Sequence, residues 1–270
     1  MPGQPEIKNM ALFCDFENIA LGVREAKYPQ FDIKRVLERL LLKGSIVVRK
    51  AYCDWERYKE FKTTMHEAAF ELIEIPHVRQ SGKNSADIRM VVDALDLCYT
   101  KSHVDTFVVI SGDSDFSPLV AKLRENNKLV IGVGVKKSTS DLLTAACDEF
   151  IYYDDLVLEE AQKKKRTARK PARSTAREET PAKKDEEDRR QEALDLMVET
   201  VEALQAERGE EDPVWGSMVK QALKRRKPGF NESHYGFRSF SALLEEAARR
   251  GMVRLERDER SGGHLIHLLD

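Results

Sequence analysis

Nowhere does this sequence hold an apolar run approaching the roughly 18 residues that a membrane-spanning helix requires. Its start lacks the charged-then-apolar build of a secretory signal, so a cytoplasmic setting with no membrane partner is expected. Cysteine is scarce: Cys14, Cys53, Cys98 and Cys147 are all four, and none forms a C-x-x-C pair. Each sits in an apolar strand or helix pattern, which suits buried free thiols in a reducing compartment better than zinc ligands or disulfides. Familiar nucleotide loops are missing too. There is no G-x-x-x-x-G-K-S/T, and Gly132-Val133-Gly134-Val135 lacks the third glycine of a dinucleotide fingerprint. His66, His77 and His103 form no H-E-x-x-H motif. Neither sign of charge prevails: Lys and Arg number 45 against 47 Asp and Glu, a formal net charge of −2. That excludes a uniformly basic nucleic-acid coat but leaves room for a local basic groove.

What is present is a chain of 270 residues, enough for one or two domains at about 100–200 residues each. Residues 1–158 alternate between strand and helix patterns. Strands are expected near 11–15, 46–53, 71–76, 105–111, 128–134 and 148–152, with amphipathic helices such as Ile33–Leu41 between them. This alternation specifies an α/β fold, a mostly parallel sheet with helices on both faces.

Acids gather where these elements end and begin. Val108-Val109-Ile110 is an unbroken β-branched run, as suits a strand covered on both faces, and it stops at Ser111-Gly112-Asp113-Ser114-Asp115-Phe116. Gly112 permits a sharp turn, Ser114 is placed to cap the next helix, and Pro118 fits its first turn. Ala11-Leu12-Phe13-Cys14 likewise breaks into Asp15. Asp87 opens a helix whose core stripe is read as Ile88, Val91, Val92 and Leu95, with Asp93 pointing the other way as a solvated or supporting acid. One acid at a helix start is explained by the macrodipole, worth about 0.3–1 kcal/mol. Several converging without basic partners would repel one another. They imply a cation, and Mg²⁺ suits a set of oxygen ligands.

Asp15-x-x-Asn18, Lys83-x-x-x-Asp87 and Ser111-Gly112-Asp113-Ser114-Asp115-Phe116, in that order, resemble the NYN domain, a branch of the PIN-like nucleases. The resemblance implies a PIN-like, Rossmannoid sheet and a ribonuclease, endonuclease rather than exonuclease, dependent on Mg²⁺ or Mn²⁺. Asp15, Asp87, Asp113 and Asp115 would hold metal directly or through water, while Asn18 and Ser111 would orient water or phosphate. Lys83 and Asn84 lie in a polar loop beside the acids and are candidates for RNA contact; a solvated loop lysine reads equally well. Ser138 in Ser138-Thr139-Ser140 is another, although helix capping is the favoured reading there.

From residue 159 to 190 apolar periodicity vanishes, and a flexible charged linker is expected. Its basic half, Gln162–Arg173, suits non-specific hold on phosphate backbones or a merely solubilising tether. Residues 191–270 read as a small winged-helix domain: a helix to about Gln205, another over Trp215–Lys224, a third from Ser239, and a hairpin around Arg260-Ser261-Gly262-Gly263. Pro228-Gly229-Phe230-Asn231, Tyr235-Gly236-Phe237-Arg238-Ser239-Phe240 and Gly251-Met252-Val253 resemble the OST-HTH, or LOTUS, domain. That resemblance implies RNA as a partner, or docking of protein or a second copy through this domain. Arg225, Arg226, Lys227, Arg238, Arg249 and Arg250 would serve as phosphate contacts. Tyr235, Phe237 and Phe240 are expected in the core, since so small a domain needs its aromatics there. A metal-dependent ribonuclease with a tethered RNA-binding module accounts for all of this. The alternative is a catalytically silent RNA-binding or protein-docking adaptor that retains the fold; the intact acids favour the enzyme.

Overall fold

The computed structural model describes residues 8–75, 85–169, 181–209, 212–227, 230–258 and 263–269, with the helical backbone alone described for 162–169 and 181–186. The chain divides into two compact units, whose boundary along the sequence falls at Pro171–Ala172.

The first unit runs β1 (Lys8–Asp15), α1 (Phe16–Glu25), α2 (Ile33–Lys43), β2 (Gly44–Cys53), α3 (Lys59–Glu67) and β3 (Glu71–Glu74). It continues through α4 (Ser85–Thr100), β4 (Thr106–Ile110), α5 (Ser117–Glu125), β5 (Leu129–Gly134), α6 (Asp141–Ala146), β6 (Glu149–Tyr152) and α7 (Tyr153–Arg169). Every strand pairing is parallel, in the order β3-β2-β1-β4-β5-β6. Because side chains alternate across a strand, β1 feeds two separate cores. Met10, Leu12 and Cys14 join Ile19, Val36 and Leu40 under α1 and α2. Ala11 and Phe13 join Met90, Ala94, Val120 and Leu123 under α4 and α5. Sequence alternation therefore translates directly into a three-layer unit.

Two local readings are corrected. On α4 the buried stripe is Met90, Ala94 and Cys98, whereas Ile88 and Val92 face outward. Apolar residues cover the helix except for the strip of Arg89, Asp93, Asp96 and Thr100, so its pattern excludes that strip without choosing among the remaining faces. The sheet does: Met90, Ala94 and Cys98 turn into the core where Phe13 and Phe107 stack with ring centroids 6.0 Å apart. At the end of β4 the capping residue is Asp113 rather than Ser114. Asp113 Oδ1 accepts from the Asp115 N–H at 3.0 Å and starts a short 3₁₀ turn, Ser114–Phe116, that leads into α5.

The second unit comprises α8 (Pro181–Arg208), β7 (Val214–Trp215), α9 (Gly216–Arg226), α10 (Phe240–Arg249), β8 (Val253–Arg257) and β9 (His264–Leu268). β8 and β9 form the expected antiparallel hairpin, and the two-residue β7 adds a third strand on β9. So short a strand has no alternation to read. Phe230, Phe237 and Phe240 are buried in this unit's core and Tyr235 packs against it, stacked on Phe230 at 5.2 Å. Helix α7 extends into residues read as linker, and α8 begins at Pro181, ahead of residue 191. Among the described residues no helix is long and apolar enough to cross a membrane, and Cys14, Cys53, Cys98 and Cys147 are free.

Candidate active site

Outward from β1 the sheet proceeds to β2 and β3 on one side and to β4, β5 and β6 on the other. This reversal creates a crevice beyond the carboxyl ends of β1 and β4, where open α/β sheets bind ligands. Asp15 is the last residue of β1 and Ser111-Gly112-Asp113 directly follow β4, so the order of strands alone brings both loops to that crevice.

A closed hydrogen-bond circuit joins the loops. Asp15 Oδ1 accepts from the Asn18 backbone N–H at 3.3 Å, and its Oδ2 accepts from the Ser111 hydroxyl at 2.9 Å. Ser111 Oγ in turn accepts from the Asp113 N–H at 3.1 Å, while Asn18 Oδ1 accepts from the Gly112 N–H at 2.8 Å. Asn18 and Ser111 thus hold the two strand ends together, and no acceptor among the described residues takes the Asn18 Nδ2 hydrogens. Gly112 is required by a third loop: a Cβ there would stand 2.5 Å from the Ser138 carbonyl oxygen. Ser138 also lays its hydroxyl against Gly22 of α1 and donates it to the Val135 carbonyl, so it shapes the crevice wall. Capping of α6 is done by Ser140.

Asp87, in the first turn of α4, completes the gathering. Burial pushes the Asp15 carboxyl from 3.8 up to about 7, and the charges of Asp87 and Asp113 add to it against the hydrogen bonds from Asn18 and Ser111. Burial likewise lifts Asp87 to about 6, helped by Asp113, Asp115 and Glu17. Asp15, Asp87, Asp113 and Asp115 therefore share one field, and among the described residues no Lys or Arg pairs with any of them. Glu17 is a fifth acid at this edge that the motif reading passed over; it accepts from Arg57 Nη1 at 3.2 Å. Its signal was available, since it lies two residues after Asp15 in the opening turn of α1. Asp93 stands apart. Burial raises it, but bonds from Tyr52 and Lys50 outweigh that and hold it below its usual range.

The donor set suits a hard cation. All four candidates offer carboxylate oxygen, the chemistry Mg²⁺ and Mn²⁺ take. Among the described residues no three His, Cys, Asp or Glu side chains already stand close enough to enclose an ion. Mg²⁺ commonly uses one or two carboxylates and retains several waters, so it does not need three to enclose it. The set fits such an ion.

The remaining candidates separate by accessibility. Lys83 and Asn84 lie outside the described residues. In the second unit Lys227 and Arg238 are exposed and Arg225 is half-buried. Arg226 is committed internally to Glu199 and the Thr200 hydroxyl, and Arg250 to Glu246 and Glu187.

The NYN domain family model matches residues 9–156. The chain belongs to the NYN family. An OST-HTH/LOTUS domain follows at residues 192–265, so a domain of a nuclease family precedes one associated with RNA binding. An uncharacterized protein of Methanocaldococcus jannaschii is 27% identical over 120 residues, 44% of this chain and 47% of that protein. The chain thus spans about half the length of that curated relative. A crystal structure of a Vibrio parahaemolyticus protein of unknown function matches with a TM-score of 0.50 and 27% identity, covering 57% of this chain and 98% of that one.

The raised carboxyls of the NYN domain set a stability trend. An acid whose folded value exceeds its unfolded one binds more protons when folded, so stability falls as pH rises between the two values. For Asp15 the penalty is absent below about pH 4, grows toward 7 and is complete above it. In metal-free buffer, Asp15→Asn should melt near wild type at pH 4 and several degrees above it at pH 8. A constant difference across a differential scanning fluorimetry pH series would show that Asp15 carries no such buried charge.

Proposed function

We propose that this NYN protein is a Mg²⁺- or Mn²⁺-dependent ribonuclease that hydrolyses RNA phosphodiesters internally, aided by its OST-HTH/LOTUS module. The observation that carries the reading is the crevice itself: Asp15, Asp87, Asp113 and Asp115 gather at the sheet's switch point, their charges and burial raise Asp15 and Asp87, and no Lys or Arg among the described residues pairs with them. A fold does not need such a cluster, which costs a few kcal/mol at neutral pH. Caps alone account for Asp15 and Asp113 but not for Asp87 beside them.

A divalent ion held by these acids would polarise the scissile phosphate and lower the pKa of a bound water. The chain supplies the rest. Ser111 and the Asn18 N–H fix both oxygens of Asp15, so that carboxylate is oriented before ligand arrives. Asn18 Nδ2 can donate to a phosphate oxygen or hold the attacking water. A bound cation would favour the charged forms of Asp15 and Asp87, which burial disfavours in its absence. RNA is the substrate class favoured by the second domain, and the free thiols are compatible with a reducing, cytoplasmic setting.

Incubation of end-labelled RNA with the full chain, with and without Mg²⁺ or Mn²⁺, decides the matter. Internal fragments appearing only with metal are expected. Tight RNA binding without cleavage under any of these conditions would favour the silent adaptor.

A further inference from the structure

The helix carrying Asp87 has a second face that the chemistry above does not use. On α4, Ile88, Val92 and Tyr99 are 63%, 55% and 65% exposed, and Leu95 between them is half-buried, one side against the domain's own core and the rest open. Their spacing, four then three then four residues, is the a/d repeat of a coiled-coil seam. Single exposed apolar residues need no explanation, but a row in register on one helix marks a surface that is covered in use. A shallow hollow of about 530 Å³ lies alongside, lined by Ser85, Ile88, Arg89, Val92, Asp93 and Asp96.

Charges beside the seam select the occupant. Arg89 and Asp96 are both exposed, lie one heptad apart, and share the same flank. If a two-fold axis crosses α4 near its middle, Val92 faces Leu95 of the partner subunit and Ile88 faces Tyr99 of the partner subunit. Each Arg89 then lies beside Asp96 of the partner subunit, and the contact is made twice, as an isologous interface requires. A parallel pairing puts like charges level and loses this complementarity. Arg89 is free to turn outward: its bond to Asp93 is an exposed i,i+4 pair at 3.0 Å, and Asp93 keeps Lys50 and Tyr52. Asp96 has no ion-pair partner among the described residues.

We propose that the seam Ile88-Val92-Leu95-Tyr99 is the interface of an antiparallel homodimer of NYN domains. The interface leaves both crevices open, because Asp87 lies on the side of α4 toward Met90 and Ala94, away from the seam. It stands whether or not the crevice cleaves RNA.

Sedimentation equilibrium of the full chain from about 1 to about 100 µM tests it, with affinity read from the concentration dependence. A reversible dimer is expected. Val92→Glu should weaken it at least tenfold with an unchanged far-ultraviolet circular dichroism spectrum and melting point. Arg89→Glu and Asp96→Arg should each weaken it, and the two together should restore it, a rescue that misfolding cannot imitate. A wild-type monomer throughout the range overturns the proposal. So does a dimer indifferent to Val92→Glu, which would assign assembly to the C-terminal domain. A double exchange no better than either single change overturns the antiparallel register.

Discussion

Asp113→Asn is expected to lower metal-dependent RNA cleavage by about a hundredfold to a thousandfold or more, the scale for losing one group that stabilises developing charge. It should do so without loss of stability in metal-free buffer. The replacement keeps a side-chain oxygen for the Asp115 N–H, now accepted at 3.0 Å, so a cap worth about 1 kcal/mol survives. What it removes is a charge that raises both Asp15 and Asp87. The melting temperature without metal should therefore hold or rise, by about 2–4 °C for each kcal/mol relieved. Added Mg²⁺ should stabilise wild type and leave the variant nearly unmoved, because only the wild type gains a well-held ion on folding. Wild-type turnover in Mg²⁺ would show that Asp113 is not a ligand that matters. A fall of several degrees without metal would show that the Asp113 charge supports the fold rather than straining it.

The positions of Asp15 and Asp113 were legible in the sequence because each follows the end of an apolar run, and a strand end in a parallel sheet has one address. Asp15 after Cys14 and Asp113 after Gly112 needed only the strand positions, and the sheet order brings them together. Asp87 was legible from its place at a helix start. The outward face of α4 was not, because apolar residues cover every side of the helix but the narrow strip of Arg89, Asp93, Asp96 and Thr100, which leaves several faces eligible for burial. Packing against the sheet settles it, with Met90, Ala94 and Cys98 turned into the core that Phe13 and Phe107 share. The circuit from Asn18 to Gly112 was also hidden, since it joins residues 94 positions apart. In the winged helix the arginines looked alike in sequence. Acids that take Arg226 and Arg250 out of circulation come from α8 and α10, so accessibility there is a property of packing.

Removal of everything after Ala161 should raise KM and the dissociation constant for RNA about tenfold or more while changing kcat far less, the signature of lost uniform binding. The cut belongs there rather than at residue 158. Leu156 is buried in the sheet's core, and Arg35 and Arg39 bond to Glu160 and Glu159 on the same helix. The NYN crevice is acidic and repels phosphate until its charge is neutralised, so it makes a poor anchor. Lysines and arginines that can serve lie elsewhere: the basic run Gln162–Arg173, then Lys224, Lys227, Arg238, Arg254 and Arg257, all exposed in the second unit. A tether raises the local concentration of bound RNA at the crevice without adding a contact there. If three or four phosphates are neutralised by the second unit, the logarithm of affinity should fall with log salt at a slope of about −2 to −3. The truncated protein should lose most of that slope. Fluorescence anisotropy across a salt series, with the Asp113→Asn background preventing cleavage, measures both quantities. Equal affinity and equal slope with and without the C-terminal half would reject this division, and would make that half a protein-docking module instead.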